Sequence, residues 1–381
     1  MTIAAHPRRV VHLTSVHPAD DNRIFHKECV TLAAAGYDVT LVVAGGRDET
    51  VKGVRIVSVR RTGGRIGRAV FGSIRLGRVA IRSKADVIHF HDPELLPLGL
   101  LLRLLGRSVI YDAHEWVRGS TTSRPYLDPR VARLMAWVIG GLEWVASRVL
   151  THVVAATPFI ASQYKTDKVT VIANYPDLGE LADARGDLDE RDPNCGVYVG
   201  GINEGRCGSA MLAALPKARA SDPRIHLVMG GSIEDGLHPE TVEGIEYLGV
   251  LSRSEVVRVN RGASFGLALL RPLPNYIDSL PTKFFEYLAA GIPAMVSRST
   301  VIVAGIIDEV GCGLVVDGED SDQIAEAMVA FASDPARTRL MGDRGAVAVR
   351  DRYNWAAEAA KLVALYDRIT DQRISRSPSV A

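Results

Sequence analysis

Short apolar runs alternate along the chain with longer segments whose apolar residues recur at helical spacing, a pattern typical of buried strands and amphipathic helices. This alternation favours parallel sheets with helices on both faces, and therefore an α/β fold. In the first half we predict strands at 10–14, 39–43, 54–59, 86–90, 108–112, 153–156 and 169–172. In the second half we predict strands at 196–199, 225–229, 245–248, 265–269, 294–296 and 314–315.

Two domains are indicated, because the strand pattern stops and then begins again. The stretch 174–193 between the halves carries proline, glycine and a charged run, as a linker does. With 381 residues, 47% of them hydrophobic, the chain is long enough for two cores. We place the first domain at 1–175 and the second at 190–350.

Bulk composition narrows the function classes. A formal net charge of +1 gives no argument for binding nucleic acid. No apolar signal core follows the N-terminus, and Arg103 and Glu143 interrupt the longest apolar runs, so neither export nor a spanning helix is expected. The cysteines lack the paired short spacing of a zinc site or disulfide framework, which fits a reducing cytoplasm; they are Cys29, Cys195, Cys207 and Cys312.

The segment 279–293, S-L-P-T-K-F-F-E-Y-L-A-A-G-I-P, carries the clearest chemical signal. Pro281 suits the first turn of a helix and Gly291 suits its end. The helix N-terminus offers free N–H groups to a phosphate, and Lys283 adds a positive charge beside them. Glu286, about one turn further along, could bind a sugar diol. The arrangement suits a ligand with a diphosphate between two sugars.

This segment closely resembles the nucleotide-binding signature of the GT-B glycosyltransferases, in the family-4-like retaining group also called glycosyl transferases group 1. The resemblance covers nearly the whole chain. It implies two doubly wound Rossmann-like domains facing across a cleft, with a C-terminal helix at 353–370 packing back on the first. It also implies a nucleoside diphosphate sugar as donor and a hydroxyl acceptor. Glu286 maps onto the acid that contacts the donor ribose. The other implied donor-binding residues are Gly200, Gly201, Gly231, Val250, Leu251, Ser279, Leu280, Pro281 and Thr282.

Two positions depart from the family pattern. The usual Arg and Lys that bind the diphosphate fall on Gly201 and Cys207, so we assign that task to Arg206 together with Lys283. A cation is needed there because the leaving diphosphate gains negative charge. Eight residues before Glu286 stands Asp278 in place of the usual Glu, and it is the candidate for contact with the donor sugar.

The remaining candidates lie in the first domain, at predicted strand ends and in the first loop. His114 matches a family histidine that contacts the donor sugar and assists at the reaction centre. Histidines 89 and 91 alternate on one strand, but no third ligand follows at a convincing spacing, so acceptor binding or a polar network is preferred over a metal site. The predicted acceptor-side residues are His17, Asp21, Arg23, His91 and Asp92. Helix capping is an alternative role for Asp21.

No metal site and no cofactor are expected. The D-S-D at 320–322 resembles the metal-binding pattern of another glycosyltransferase fold, but its place before an amphipathic helix favours capping. The segment 60–84 is basic and amphipathic, which suits either a solvated helix face or peripheral contact with an anionic membrane. For the apolar residues of 131–149 core packing is the preferred interpretation.

Three other functions remain open. A nucleotide-sugar epimerase or a phosphorylase would use the same architecture, and a non-catalytic nucleotide-sugar-binding subunit would fit the departures from the family pattern. A dinucleotide-dependent oxidoreductase is disfavoured, because the first loop lacks G-x-G-x-x-G. For a glycosyltransferase, cell-envelope polysaccharide or glycolipid assembly is preferred over decoration of a secondary metabolite. The acceptor is accordingly a saccharide, a glycolipid or a small molecule, and the sequence names neither sugar nor base.

Overall fold

A computed structural model describes residues 8–61, 63–64, 67–122, 128–179 and 191–376, without the side chains of 68, 69 and 373–376. The chain divides into two compact units. The first runs to Asn174 and is rejoined by the chain from Ala356 onwards, while the second is Tyr175–Trp355. Most of the predicted linker, 180–190, and Arg65 of the basic segment lie outside the described residues.

The first unit is built on an eight-stranded sheet in the order β3-β4-β2-β1-β5-β6-β7-β8. Its strands are β1 (Arg9–Thr14), β2 (Asp38–Ala44), β3 (Glu49–Val51), β4 (Val54–Val59), β5 (Val87–Phe90), β6 (Ser108–Ala113), β7 (His152–Ala155) and β8 (Val169–Val171). Each pairing in this sheet is parallel apart from β3 with β4. β3 was not predicted, because this short edge strand is largely exposed and carries no apolar run.

In the described residues of the first unit that precede the second unit, the longer helices and helical turns are six. They are α1 (Asn22–Cys29, π-helical, continued by Val30–Ala34), α2 (Arg68–Gly72, π-helical, continued by Ser73–Arg82), α3 (Leu96–Leu104), α4 (Val117–Thr122), α5 (Pro129–Val149) and α6 (Pro158–Ser162). Asp21 begins α1 by accepting hydrogen bonds from the amides of Arg23 and Ile24. The capping role weighed for Asp21 is therefore real.

The second unit is built on a six-stranded parallel sheet in the order β11-β10-β9-β12-β13-β14. Its strands are β9 (Cys195–Val199), β10 (His226–Gly230), β11 (Ile245–Tyr247), β12 (Phe265–Ala268), β13 (Ala294–Ser297) and β14 (Gly313–Val316). Its helices are α7 (Gly208–Ser221), α8 (Arg253–Gly262), α9 (Thr282–Ala289), α10 (Val301–Val310), α11 (Ser321–Ser333) and α12 (Pro335–Asp351), and α13 (Trp355–Arg376) follows. Two parallel-sheet Rossmann-like units confirm the predicted fold class.

Two sequence interpretations of helix starts are confirmed. Ser252 and Glu255 form a reciprocal capping box at the start of α8. Asp320 accepts hydrogen bonds from the amides of Asp322 and Gln323 at the start of α11, so the D-S-D motif is a helix cap.

The apolar face of α5 differs from its prediction. Core packing was expected, yet Trp137 is 73% exposed, Leu134 62% and Trp144 59%. The buried residues of α5 are mostly small, such as Ala132, Ala136 and Ala146, so the large side chains lie on the opposite face. No helix in the described part of the chain is both long and apolar enough to cross a membrane.

Candidate active site

In the second unit, two glycine turns meet beyond the carboxyl ends of neighbouring strands, where ligands bind in doubly wound sheets. Gly200 follows β9 with φ +133° and Gly231 follows β10 with φ +142°. A Cβ atom on Gly231 would lie 2.0 Å from the carbonyl oxygen of Gly200. Only glycine allows the two turns to approach this closely. The contact leaves an open backbone surface of the kind that phosphates approach.

Lys283 points its ammonium group at this surface. Its Nζ lies 3.7 Å from the centre of the Tyr198 ring and 2.9 Å from where a Cβ atom on Gly200 would be. The Nζ atom is buried and has no hydrogen-bond partner in the part of the chain that the structure describes. Burial, and then the nearby Arg206, lower the pKa of Lys283 well below its usual range. A buried cation without an anionic partner is costly, and a bound anion would relieve the cost.

The guanidinium of Arg206 lies beside Gly201. Its Nη1 lies 3.4 Å from the carbonyl oxygen of Gly201 and 3.0 Å from where a Gly201 side chain would begin. Cys207 is instead buried at the start of α7 with φ +57°. The structure thus brings Arg206 and Lys283 to the same glycine turn, as the sequence assignment requires.

Glu286 lies one turn further along α9, on the same helix as Lys283. Its side chain is 12% exposed, and its Oε1 accepts a hydrogen bond from Arg253 Nη1 at 2.5 Å. Arg253 was not predicted as a site residue, because it lies inside the S-R-S-E capping box. The carboxylate assigned to the ribose is therefore already paired with a half-exposed cation.

The loop before α9 holds several more of the predicted site residues. Pro281 is the N-cap of α9 and Thr282 is its first residue. The N–H groups that begin the helix therefore point out of its N-terminal end. Asp278 is half-buried and makes no side-chain hydrogen bond or ion pair with the described residues. Asn275 has a buried Oδ1 without a hydrogen-bond partner among the described residues. Ser279 donates to the carbonyl oxygen of Tyr276, and Leu280 is half-buried.

Val250 and Leu251, predicted to border the nucleobase, follow Gly249 after β11. Val250 is 78% exposed. Leu251 packs against β10, since a Cβ atom on Gly230 would lie 2.5 Å from its Cδ1. The amide of Gly231 donates to the carbonyl oxygen of Gly249 at 2.7 Å, which ties this loop to the glycine turn.

In the first unit, polar residues converge beyond the carboxyl ends of β1, β5 and β6. Asp112 is fully buried and accepts two hydrogen bonds from Arg23, at 3.0 and 2.7 Å, and one contact from His91 Nδ1 at 3.0 Å. Burial opposes ionisation, but the Arg23 guanidinium holds the pKa of Asp112 well below its usual range. Asp112 therefore stays ionised inside the unit.

His17 bridges two carboxylates at the edge of this cluster. Its Nδ1 lies 3.1 Å from Asp21 Oδ2, and its Nε2 lies 3.5 Å from Asp92 Oδ1. The hydrogen bond to Asp21 raises the pKa of His17. Although burial opposes ionisation of Asp21, the hydrogen bond from His17 and the backbone amides lower the pKa of Asp21 to about 2. The pair favours a protonated imidazole.

His114 packs edge-on against His17, with ring centres 5.1 Å apart. Its Nδ1 lies 3.5 Å from Asp112 Oδ2, and its side chain is 18% exposed. Burial alone would lower the pKa of His114, but Asp112 more than offsets it and the pKa is raised. The structure therefore places His114 beside a fixed negative charge and in partial contact with solvent.

Three of the predicted acceptor-side residues are buried in the structure. Arg23 is 6% exposed and also contacts Glu28 and the carbonyl oxygen of Ile172. His91 is fully buried between Asp112 and a further histidine. Asp92 is 2% exposed and accepts hydrogen bonds from Thr14 and from Ser15. These side chains hold the loops in place. The other two predicted acceptor-side residues, His17 and Asp21, are partly accessible, as is His114, which was predicted to contact the donor sugar.

Comparison with known families agrees with this geometry. Residues 22–179 match the model of Glycosyltransferase Family 4, and residues 206–364 match that of a Glycosyl transferase-like family. The sucrose-phosphate synthase of Thermosynechococcus elongatus has the same fold, with a TM-score of 0.75 at 16% identity, over 96% of this chain and 100% of that one. The chain belongs to the GT-B glycosyltransferases.

Two curated relatives of this GT-B glycosyltransferase are similar over part of its length. The D-inositol 3-phosphate glycosyltransferase of Kribbella flavida is 28% identical over 44% of this chain and 40% of its own length. The GDP-mannose-dependent monoacylated alpha-(1-6)-phosphatidylinositol monomannoside mannosyltransferase of Corynebacterium glutamicum is 24% identical over 40% of this chain and 42% of its own. The matched segments thus span less than half the length of either relative.

Proposed function

We propose that this GT-B glycosyltransferase moves a glycosyl unit from a nucleoside diphosphate sugar to an acceptor hydroxyl, with retention at the anomeric carbon. The observation that carries the proposal is the buried, unpartnered ammonium of Lys283 beside Arg206, aimed at two touching glycine turns. Two cations and open backbone suit a diphosphate. The name of the Corynebacterium relative, which specifies GDP-mannose, supports a donor of this class.

In the proposed reaction the diphosphate leaves as the acceptor attacks from the same face. Arg206, Lys283 and the first-turn amides of α9 stabilise the negative charge that develops on the leaving oxygen. That oxygen accepts the proton of the acceptor hydroxyl. We propose that this step uses no metal, since the cations supply the charge that a divalent ion would otherwise provide. His114 and Asp278 are the proposed contacts to the donor sugar.

We propose a glycolipid or polysaccharide acceptor of the cell envelope, reached by peripheral contact with an anionic membrane. Neighbouring helices α2, α3 and α5 carry exposed apolar side chains, including Phe71 at 58%, Leu104 at 78% and Trp137 at 73%. Arginines lie among them, and Arg148 stacks 3.9 Å over Trp144. Apolar and cationic groups on one surface suit an interface of anionic lipid. A secondary metabolite is the alternative acceptor.

The first test of the proposed function is donor binding. Thermal unfolding would be followed with UDP, GDP, ADP and dTDP, because a ligand at a hundred times its Kd adds about 2.7 kcal/mol of stability. We expect one nucleotide to raise the melting temperature in wild type and not in Glu286→Ala. No shift with any of the four would contradict the donor site.

The second test is transfer. The donor sugar carrying the selected base would be supplied with phosphatidylinositol, with inositol phosphate or with no acceptor. Acceptor-dependent product with the donor's own anomeric configuration supports retaining transfer. Conversion of the donor sugar without acceptor would indicate an epimerase, and donor binding with no product from any acceptor would indicate a non-catalytic subunit. Flotation with vesicles containing or lacking anionic lipid tests the membrane contact, with Trp137→Ser as the variant expected to bind less.

A further inference from the structure

Three buried histidines share one face of the sheet in the first unit. His12 on β1 pairs in register with His89 on β5, and His91 follows His89 by two residues on the same face. Their ring centres lie 4.9 Å apart for His12 and His89, 4.7 Å for His89 and His91, and 5.2 Å for His12 and His91. All three side chains are completely buried.

Glu28 of α1 completes the cluster with a carboxylate. It is completely buried, and neither of its oxygens has a hydrogen-bond partner among the residues that the structure describes. Arg23 Nε lies 3.2 Å from Oε1, and His89 Nδ1 lies 3.7 Å from Oε2. One nitrogen from each histidine and one Glu28 oxygen all lie within 4.8 Å of one another. The four groups thus come from three separate parts of the sequence, at β1, α1 and the end of β5.

The hydrogen bonds around the cluster orient the histidines. His91 Nδ1 contacts Asp112 at 3.0 Å, and because a carboxylate only accepts, His91 Nε2 carries a lone pair when the ring is neutral. That Nε2 faces His12 Nδ1 at 2.9 Å. The Tyr366 hydroxyl contacts the outer nitrogen of His12 at 3.2 Å and Nδ1 of His89 at 2.8 Å. Carboxylate and hydroxyl partners of this kind hold metal-binding histidines in place.

Hydrogen bonding alone does not satisfy the cluster. His89 Nε2 is buried without a partner among the described residues, as are both oxygens of Glu28. Glu28 has the ion pair with Arg23, but buried polar atoms that lack hydrogen bonds are costly unless something satisfies them.

We propose that His12, Glu28, His89 and His91 bind one divalent transition-metal ion, zinc being the natural choice for three imidazoles and one carboxylate. Zinc lies about 2.0–2.2 Å from such ligands, so tetrahedral ligand atoms lie about 3.3 Å apart. Small side-chain rotations would bring the four atoms to that spacing. Four protein ligands leave no open position, so the ion is structural. It joins β1, β5 and α1 and holds Arg23 and Asp112 beneath the accessible His17 and His114.

The site was not predicted from the sequence, where only the spacing of 89 and 91 along one strand was visible. The other two ligands come from β1 and α1, and nothing in their local sequence marks them. The inference does not rest on the proposed transfer reaction, since its ligands and its readout are separate from the donor residues.

The test uses the full chain loaded with metal during folding, because the site is closed to solvent. Protein would be expressed in medium supplemented with Co²⁺ or Zn²⁺, desalted and analysed by elemental analysis and visible absorption. We expect one ion per chain and, for cobalt, the intense visible bands of tetrahedral coordination. The variants are His89→Gln and Glu28→Gln, with the 65%-exposed His238→Gln as control.

We expect His89→Gln to lose the ion and the cobalt bands, Glu28→Gln to change the bands and His238→Gln to match wild type. A melting temperature that falls when wild type is expressed in zinc-depleted medium would further support the site. Wild type without stoichiometric metal under supplemented expression would overturn the proposal, whatever the variants do. So would metal retained unchanged in a folded His89→Gln.

Discussion

Arg253 Nη1 donates to Glu286 Oε1 at 2.5 Å, although Glu286 is the carboxylate assigned to the donor ribose. The two residues come from different helices, α8 and α9, and the carboxylate is the more buried of the two, 12% exposed against 42% for Arg253. A ribose diol that reaches Glu286 must share the carboxylate with Arg253 or displace it. The pair therefore makes the role of each residue separately testable.

Glu286→Gln should weaken the binding of nucleoside diphosphates and leave the binding of pyrophosphate unchanged. The variant loses a charged acceptor for the ribose hydroxyls, and such hydrogen bonds contribute about 1.5–3 kcal/mol, or roughly tenfold to a hundredfold in Kd. Calorimetric titration with both ligands measures the difference. Glu309→Gln is the matched control, because Glu309 pairs with Arg352 at the same 2.5 Å on an exposed surface. Equal losses for pyrophosphate would place Glu286 at the phosphates.

Arg253→Met should tighten the binding of the same nucleoside diphosphate. Removing the competing guanidinium frees Glu286 for the ribose, and a half-exposed ion pair of this kind contributes about 0.2–1 kcal/mol. The expected gain is therefore up to about fivefold in Kd, measured by the same titration. A loss of affinity specific to one base would instead show that Arg253 contacts the nucleotide directly.

Lys283→Met should lower affinity for every diphosphate and raise the melting temperature without ligand. The wild-type ammonium is buried with no hydrogen-bond partner in the described chain, so an apolar chain of similar shape removes a cost in the free protein. Loss of the phosphate contact should lower the affinity for pyrophosphate by roughly tenfold to a hundredfold. Lys217→Met, at an exposed lysine of the same unit, is the control. A variant with unchanged pyrophosphate affinity would remove Lys283 from the site.

The pH dependence of diphosphate binding follows from the same lysine. Its pKa in the free protein is lowered by burial and by Arg206, and a bound anion favours the charged form. Above the free-protein pKa, wild type should take up a proton on binding, and affinity should fall as pH rises. Titrations in buffers of different ionisation enthalpy measure that proton, which should be absent in Lys283→Met. In the unliganded protein, the lowered pKa makes stability rise with pH up to the unfolded value near 10.5.

Gly231→Ala should destabilise the second unit and abolish donor binding. Its Cβ atom would lie 2.0 Å from the Gly200 carbonyl oxygen, so one glycine turn must move away from the other. Gly236→Ala is the matched control, because it also has positive φ, +90°, but no atom lies within 4 Å of its Cβ position. Strained φ costs both variants roughly 1–3 kcal/mol. Urea unfolding should show a clearly larger loss for Gly231→Ala, and equal losses would contradict the clash.

The strands could be predicted from the sequence because each buried strand is a short apolar run. β3 was not predicted, because it has no apolar run. The signature at 279–293 located Lys283 and Glu286 correctly on one helix. The local sequence could not show that Arg253 would reach Glu286 from α8. Nor could it show that the Arg206 guanidinium fills the space beside Gly201, since that depends on the turn geometry after β9.

In the first unit, strand-end position was a poor guide to accessibility. Arg23 and Asp92 follow loop and strand patterns that suit an exposed site, yet tertiary packing buries both. Their partners come from 77 to 89 positions away in sequence, such as Ser15 for Asp92 and Asp112 for Arg23. Local pattern therefore identifies which residues are polar and near a strand end, whereas burial is decided by contacts that the pattern does not contain.

Arg23→Met should destabilise the first unit by about 3–5 kcal/mol at neutral pH, because it leaves Asp112 buried without its main cation. In wild type the pKa of Asp112 lies well below its usual range, so this carboxylate contributes stability above pH about 4 that is lost as pH falls through the folded pKa. In the variant the carboxylate protonates more readily, so the difference from wild type should shrink as pH falls. Urea unfolding at several pH values measures this difference in the free energy of unfolding.

The control for that prediction lies in the same unit. Arg8 pairs at the surface with Asp367 and Asp371, both more than half exposed, so Arg8→Met should cost about 1 kcal/mol or less at any of these pH values. Arg23→Met/Asp112→Asn should recover part of the loss, because no uncompensated charge remains buried. A loss for Arg23→Met that is equal at pH 4 and pH 7, or that the double variant deepens, would show that Arg23 acts by packing and not through the charge of Asp112.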